Sequence, residues 1–116
     1  MERKILEMTM LLDFYGEAIT EKQRMCVDMY YNENLSMSEI SEIVGITRQG
    51  VRDMLVRAEV AMQDMENKLG IVKRFLIRRE TVEKVEEKLR ELSDLTDDRG
   101  KQLTEEIMLN ILEMEN

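Results

Sequence analysis

The sequence predicts an all-α protein. It contains no proline and only five glycines, so helices can run without interruption. Only 4% of the residues are aromatic, which disfavours a sandwich or barrel built from β-branched and aromatic strands. Apolar residues make up 43% of the chain and recur at helical spacing along most of it. A length of 116 residues suits one domain with a helical appendage.

The first two helices are predicted on either side of Gly16. The first spans Glu2–Tyr15, and its apolar positions are spread too widely for one stripe, so we expect burial on more than one side. The second spans Thr20–Tyr31 and begins with a capping box, Thr-Glu-Lys-Gln. We expect Cys26 to be a buried small apolar residue. Of the two adjacent tyrosines that end this helix, we expect one ring in the core and one at its edge.

Residues 37–51 carry the pattern of a helix-turn-helix. Ser36 is the predicted cap of the third helix, Gly45 its end and Thr47 the cap of the fourth helix. Ser41 is the small residue where the two helices approach, and Gly45 is the turn residue that tolerates a positive φ. The predicted buried face of the third helix is formed by Ile40, Ile43 and Val44. The predicted wedge between the helices is formed by Ile40, Ile46, Val51 and Met54 or Leu55.

Two long helical segments complete the prediction. The fourth helix reaches Leu69, and the fifth spans Ile71–Leu92. A polar, glycine-containing linker over Ser93–Lys101 and a last helix over Gln102–Met114 follow. We therefore divide the chain into residues 1–70, an N-terminal helix plus helix-turn-helix, and residues 71–116, a C-terminal helical extension. The fifth helix carries a coiled-coil-like seam that either packs within the chain or forms a homodimer, which we favour; the seam comprises Val82, Val85, Leu89 and Leu92.

Composition excludes several functions. The chain has no histidine and a single cysteine, so the commonest general base, the commonest zinc ligand and any intramolecular disulfide are absent. No carboxylate stands in an apolar run beside a nucleophile or metal partner. We expect no enzyme activity, no catalytic or metal-binding residues and no cofactor. The N-terminal segment resembles neither a signal peptide nor a membrane span, so we expect a cytoplasmic protein that does not bind membranes.

The start of the fourth helix carries the candidate site. If the apolar face of this helix points inward, Arg48, Gln49 and Arg52 project outward together, where arginine can bind guanine and glutamine can bind adenine. Hydroxyl groups and helix-start amides nearby can hold phosphates. The candidate nucleic-acid-binding residues are Thr47, Arg48, Gln49, Arg52, Ser36 and Ser38. The alternative is a solvated face on which the two arginines pair with Asp53 or Glu59.

Two further features each have two interpretations. Gly50 lowers helix stability by about 1 kcal/mol relative to alanine. It indicates either that the helix approaches a partner backbone closely at this position or that the glycine has no function and is merely tolerated. A second basic cluster, Lys73-Arg74 with Arg78-Arg79, either contacts phosphates or forms a solvated face balanced by glutamates, and we favour the solvated face. The net charge of −8 is opposite to that of most nucleic-acid-binding proteins, so any such site must be a local patch.

Four segments together resemble one family of small bacterial proteins. They are LLDFYGE (Leu11–Glu17), TEKQR (Thr20–Arg24), DMYYNENLS (Asp28–Ser36) and SEISEIVGITRQGV (Ser38–Val51). The resemblance is to the YlxM family, and it extends over most of residues 5–112. Residues 20–60 also resemble region 4 of bacterial sigma factors, which reads promoter DNA through its second helix.

The resemblance implies an all-helical, sigma-region-4-like DNA-binding protein without enzyme activity. The YlxM family is associated with the signal recognition particle pathway, because its genes tend to lie beside the gene for the particle's GTPase protein. By analogy with sigma region 4, the base-reading positions fall on Arg48, Gln49 and Arg52, with Thr47 at a phosphate. We therefore expect a DNA-binding regulatory protein tied to that pathway. The alternative is an adaptor that binds the particle's protein or RNA and has lost DNA binding.

Overall fold

The computed structural model describes residues 2–115, and within this range the chain is helical without any strand. The all-α prediction is therefore confirmed. The six α-helices are α1 (Glu2–Tyr15), α2 (Glu21–Val27), α3 (Met37–Val44), α4 (Arg48–Leu69), α5 (Ile71–Leu95) and α6 (Asp98–Glu115). A 3₁₀ turn (Gly16–Ala18) follows α1, and a π-helical turn (Asp28–Asn32) extends α2. None of these helices is both long and apolar enough to cross a membrane.

Contacts within the chain define two compact units. The N-terminal unit extends to Lys73, and the C-terminal unit begins at Arg74. The division falls inside α5, whose first residues belong to the N-terminal unit and whose remainder belongs to the C-terminal unit.

The N-terminal unit is built around α4. This helix packs against α1, α2 and α3, and its inward face follows the alternating three- and four-residue spacing expected of a buried helical stripe. Cys26 is completely buried, as predicted, and burial raises the pKa of its thiol although nearby Lys22 opposes the shift. The core consists of Met8, Leu11, Tyr15, Cys26, Val27, Ile40, Val51, Leu55, Ala58 and Met62.

The helix-turn-helix forms as its capping residues predict. The Ser36 hydroxyl accepts a hydrogen bond from the Glu39 amide at 3.1 Å, and the Glu39 carboxylate accepts one from the Ser36 amide at 3.0 Å. Gly45 ends α3 in the left-handed conformation, with φ of 77°. The Thr47 hydroxyl then accepts from the Gly50 amide at 2.9 Å and caps α4. The connection between the two helices is thus only three residues long.

The predicted wedge between α3 and α4 is confirmed, whereas the predicted buried face of α3 needs one correction. Ile40, Val51 and Leu55 are buried, whereas Ile46 and Met54 pack against the core from its edge. Ile43 is 59% exposed, so the prediction that it belongs to the buried face is wrong. It lies three residues after Ile40, at the edge of the inward stripe of a helix only eight residues long.

The end of the second predicted helix also differs from expectation. Residues 28–32 form a wider π-helical turn in which the Glu33 amide donates to the Asp28 carbonyl at 3.1 Å. The Asn32 side chain donates to the Asp28 carboxylate at 2.7 Å and holds this turn. Asn34 then takes a φ of 57°, a conformation that asparagine tolerates better than most residues.

The described residues of the C-terminal unit, 74–115, contain no long linker. The prediction of a linker over Ser93–Lys101 is wrong, because only residues 96–97 separate α5 from α6. The Asp97 carboxylate accepts from the Gly100 amide at 2.8 Å and starts α6 early. Gly100 is a close-packing position: a β-carbon there would lie 1.9 Å from the Thr96 hydroxyl oxygen. Its glycine reflects this contact between the two helix ends.

The two helices of the C-terminal unit form an antiparallel hairpin with little interior. Val82, Val85 and Leu89 of the predicted seam are half-buried, and Leu92 is 51% exposed. Of all the described residues of α5 and α6, only Thr104 is buried. Toward the open end of the hairpin, side chains from both helices line a cavity of about 330 Å³. The seam therefore does not form a closed core within the chain.

Candidate nucleic-acid interface

All six candidate residues line one surface groove of about 580 Å³. The groove lies between the first turns of α3 and α4, and Met37 is its remaining lining residue. The short Gly45 turn brings the two helix starts together. The residues that the structure thereby collects are Ser36, Ser38, Thr47, Arg48, Gln49 and Arg52.

Two helix N-termini border the groove. Each N-terminus carries a partial positive charge and amides without intrahelical partners, which favours an anion nearby. The Ser36 and Thr47 hydroxyls each satisfy one of these amides. A hydrogen bond of 3.4 Å from Arg48 Nη1 to the Ser38 hydroxyl connects the two helices across the groove. The site is thus polar, open and positively polarised.

The two arginines of the groove have no carboxylate partner within residues 2–115. Asp53 accepts a hydrogen bond from Gln49 Nε2 at 3.1 Å, and Glu59 pairs with Lys4 of α1. The ion pairs of the solvated-face alternative are therefore not formed. Arg48 and Arg52 are exposed and one helical turn apart, so both guanidinium groups can reach a single ligand.

Gln49 and Gly50 carry constraints that the sequence did not indicate. One of the two Gln49 amide hydrogens is held by Asp53, which leaves the other N–H and the amide oxygen for another group but restrains the orientation of the side chain. At Gly50, a β-carbon would lie 3.2 Å from the Thr47 hydroxyl and 3.5 Å from Ile46. Glycine here relieves crowding at the cap and at the wedge residue, which is neither of the two interpretations offered for it.

The charge around the groove is locally positive in an acidic protein. Residues 48–52, at the start of α4, contain two arginines and no acidic residue, whereas the whole chain has a net charge of −8. Glu39 is an acidic neighbour of the groove that Ser36 holds in place. Hydrogen bonds from the amide and the side chain of Ser36 lower the pKa of its carboxyl, so it remains charged at neutral pH.

A second hollow of about 280 Å³ adjoins the groove and shares Ser36 with it. Tyr30 and Tyr31 line it with an edge-to-face contact, their ring centroids 4.9 Å apart. Both rings are half-buried, so the prediction that one ring lies in the core is wrong. Burial, followed by the neighbouring Tyr30, raises the pKa of Tyr31.

The second basic cluster lies on exposed helix surface. Arg79 pairs with Glu83 one turn along α5 at 3.9 Å. The neighbouring Glu80 pairs in the same way with Lys84 at 3.7 Å. These contacts fit the favoured interpretation, a solvated face with local charge balance. Within residues 2–115, no three histidine, cysteine, aspartate or glutamate side chains are grouped so that they could hold a metal ion.

The tight glycine turn, the two capped helices and the polar groove at their start define a helix-turn-helix protein. Comparison with known proteins makes the assignment specific. Residues 2–106 match a family model described as "Putative helix-turn-helix protein, YlxM / p13 like". The chain belongs to this family, the one that the sequence motifs indicated.

Relatives in several bacteria support the assignment. A UPF0122 protein of Caldanaerobacter subterraneus is 48% identical over 87 residues, which cover 75% of this chain and 74% of the relative. One from a Thermoanaerobacter species is 51% identical over 74 residues, covering 64% of this chain and 63% of the relative, which is less than two thirds of its length. One from Halalkalibacterium halodurans is 36% identical over 110 residues, covering 95% of this chain and 92% of the relative.

Proposed function

We propose that this protein is a regulator that binds double-stranded DNA by placing the start of α4 in the major groove. The observation that carries the proposal is the shared groove. Two helix N-termini border it, and two exposed arginines without carboxylate partners line it. A helix-turn-helix docks on DNA with this part of its second helix.

Each groove residue has a distinct role in this proposal. Arg48 and Arg52 bind guanine edges or phosphates, and Gln49 binds adenine through the amide N–H and oxygen that Asp53 does not hold. Thr47 fixes the position of the helix on the DNA backbone. The hydroxyls that hold phosphates of the flanking strand are those of Ser36 and Ser38.

The acidic charge of the chain determines how such binding behaves. Most of the surface repels phosphate, so only the groove contributes attraction. The logarithm of the affinity falls with the logarithm of salt concentration by about 0.9 per phosphate contact on double-stranded DNA. With the few cations available here we expect a shallow slope and weak non-specific binding. Specific base contacts would then supply most of the discrimination.

The wider role follows from the family resemblance. We infer that the regulated function belongs to the signal recognition particle pathway and that the protein acts in the cytoplasm as a homodimer. In this proposal residues 1–70 bind DNA, and residues 71–116 join two copies. No step requires a catalytic residue or a cofactor.

A second candidate function is an adaptor that binds the particle's protein or RNA. The net charge of −8 favours the protein-binding form of this adaptor, because an acidic chain repels the phosphates of DNA and RNA alike, while the helix-turn-helix still serves as a scaffold for protein contacts. The hydrogen bond from Gln49 to Asp53 also favours it, since this contact restrains the orientation in which the Gln49 amide could read a base.

Fluorescence anisotropy distinguishes the DNA-binding regulator from the adaptor. The protein is titrated against mixed-sequence duplex DNA and against a folded RNA hairpin, from low to physiological salt. The proposal predicts salt-dependent DNA binding that weakens by at least about 10-fold in the Arg48→Ala/Arg52→Ala double variant. Arg57→Ala is the matched control, because Arg57 is an exposed arginine of α4 outside the groove. No DNA binding at low salt, or an equal loss in the control, would refute the proposal. RNA binding that survives the double substitution would favour the adaptor.

A further inference from the structure

The C-terminal unit exposes most of its apolar side chains. Nine of the sixteen large apolar side chains that are exposed in residues 2–115 belong to this unit, although it has little more than a third of the residues. They are Leu76, Ile77, Leu92, Leu95, Leu103, Ile107, Leu109, Leu112 and Met114. Scattered exposed apolar residues are normal, but such a concentration on one helical hairpin marks an interaction surface.

The open end of the hairpin is incompletely filled. Val82 and Val85 of α5 and Ile111 and Met114 of α6 border the cavity of about 330 Å³ between the helices. This space is large enough for side chains of another chain, and it is lined mainly by apolar atoms. A hairpin that buries no large apolar residue of its own gains stability when a second apolar surface covers it.

The hairpin carries a positively charged segment on α5 and a negatively charged segment on α6. Residues 74–79 of α5 contain three arginines and no acidic residue, whereas residues 102–115 of α6 contain four glutamates and no basic residue. Within the described chain, the ion pairs of α5 join residues one turn apart on the same helix, and no ion pair joins α5 to α6. In one copy the two segments meet at the open end of the hairpin, where Arg78 and Glu115 line the cavity. A two-fold axis along the hairpin also places each positive segment beside the negative segment of the other copy, so both contacts between the copies form at once.

We propose that a second copy of this chain covers the apolar face of the α5–α6 hairpin, forming an antiparallel four-helix bundle. The arginine segment of each α5 faces the glutamate segment of the other copy's α6, so this face is solvated in a single copy and Arg79 exchanges its local contact with Glu83 for the other copy's glutamates. Apolar side chains of each copy fill the cavity of the other. This inference rests on the homodimer of the proposed function and specifies its surface, but it does not depend on whether the groove binds DNA.

Sedimentation equilibrium without nucleic acid tests the apolar face. We expect a dimer for the unmodified chain and a dissociation constant raised at least about 100-fold by Ile107→Asp, which buries a charge. Ile43→Asp is the matched control, since Ile43 is an exposed isoleucine of α3, outside the hairpin. A monomeric unmodified chain at about 100 μM would overturn the inference and leave the face to another partner. An equal effect of both substitutions would also overturn it.

Reversing surface charges tests the two-fold arrangement in variants that we expect to remain folded. The Arg78→Glu/Arg79→Glu variant and the Glu113→Arg/Glu115→Arg variant should each dimerise at least about 10-fold more weakly than the unmodified chain. Mixing the two variants should restore a dimer, because each segment then faces its opposite charge. Failure of the mixture to associate, while circular dichroism shows both variants helical, would refute this pairing.

The dimer and the proposed function of the groove can fail independently. Loss of dimerisation with intact DNA binding would leave the proposed function of the groove standing, and loss of DNA binding with intact dimerisation would leave the dimer standing.

Discussion

Replacing Glu66 with alanine tests how the first residues of α5 are held within the N-terminal unit. The Glu66 carboxylate accepts hydrogen bonds from the Tyr15 hydroxyl at 2.6 Å, the Val72 amide at 2.9 Å and the Lys73 amide at 3.0 Å. A side chain at the end of α4 thereby caps the start of α5 while it holds a buried tyrosine of α1. The sequence pattern did not indicate this contact.

The expected magnitude follows from these contacts. Loss of an N-terminal cap costs about 1 kcal/mol and up to about 2 kcal/mol. Loss of a hydrogen bond to a charged group costs about 1.5–3 kcal/mol. Since Glu66 is half-buried, we expect Glu66→Ala to lower the free energy of unfolding by about 3 kcal/mol and Tyr15→Phe by about 1.5 kcal/mol.

Urea denaturation followed by circular dichroism measures both variants. Glu42→Ala is the control, because Glu42 is exposed and has no ion pair in the described chain, and we expect a change of less than about 0.5 kcal/mol. The Glu66→Ala/Tyr15→Phe double variant should show non-additivity of at least about 1 kcal/mol, since the two side chains share one hydrogen bond. A loss at Glu66 no larger than that of the control, or strict additivity, would refute the reasoning.

Further predictions concern two glycines and the buried cysteine. Gly45→Ala should lower stability to urea by about 1 kcal/mol, because Gly45 has a φ of 77°, and Gly45→Asn should lower it less. Gly100→Ala should lower the melting temperature measured by circular dichroism despite the better helix propensity of alanine, because its β-carbon would collide with Thr96; a raised temperature would contradict this. Cys26 should react with a thiol reagent at pH 8 only as fast as the protein unfolds. Its raised thiol pKa also means that its contribution to stability is complete below the ordinary thiol pKa and is lost as the pH rises toward the folded value; Cys26→Ala should reduce that alkaline loss.

Local signals predicted the N-terminal unit well. The residues that end or cap the helices form hydrogen bonds to residues three or four positions away, so the sequence spacing predicts them. These residues are Ser36, Gly45 and Thr47. The groove could be predicted for the same reason. Once the turn is short and the inward face of α4 is known, the residues at both helix starts must lie together.

Contacts between distant positions were missed because no periodic pattern encodes them. The bond between Tyr15 and Glu66 joins residues 51 positions apart. The predicted linker failed for a related reason, since polar residues with one glycine indicate a loop when their partners are unknown. Only the packing of Gly100 against Thr96 shows why that glycine lies inside a helix.

The acidity of the chain and the dimer are linked under the proposed function. A single groove with two unpaired arginines on a chain of net charge −8 can neutralise few phosphates, so one copy binds DNA weakly. Two copies joined through the hairpin make binding of the second groove intramolecular, which raises the overall affinity without any new contact to DNA. A dimer whose single grooves bind weakly also discriminates against random DNA. Only a DNA site with two suitably spaced half-sites contacts the grooves of both copies at once. Ile107→Asp should therefore weaken DNA binding although Ile107 lies outside the groove, whereas Ile43→Asp should not. Equal DNA affinity of the dimeric protein and the monomeric variant would show that dimerisation does not contribute to DNA recognition.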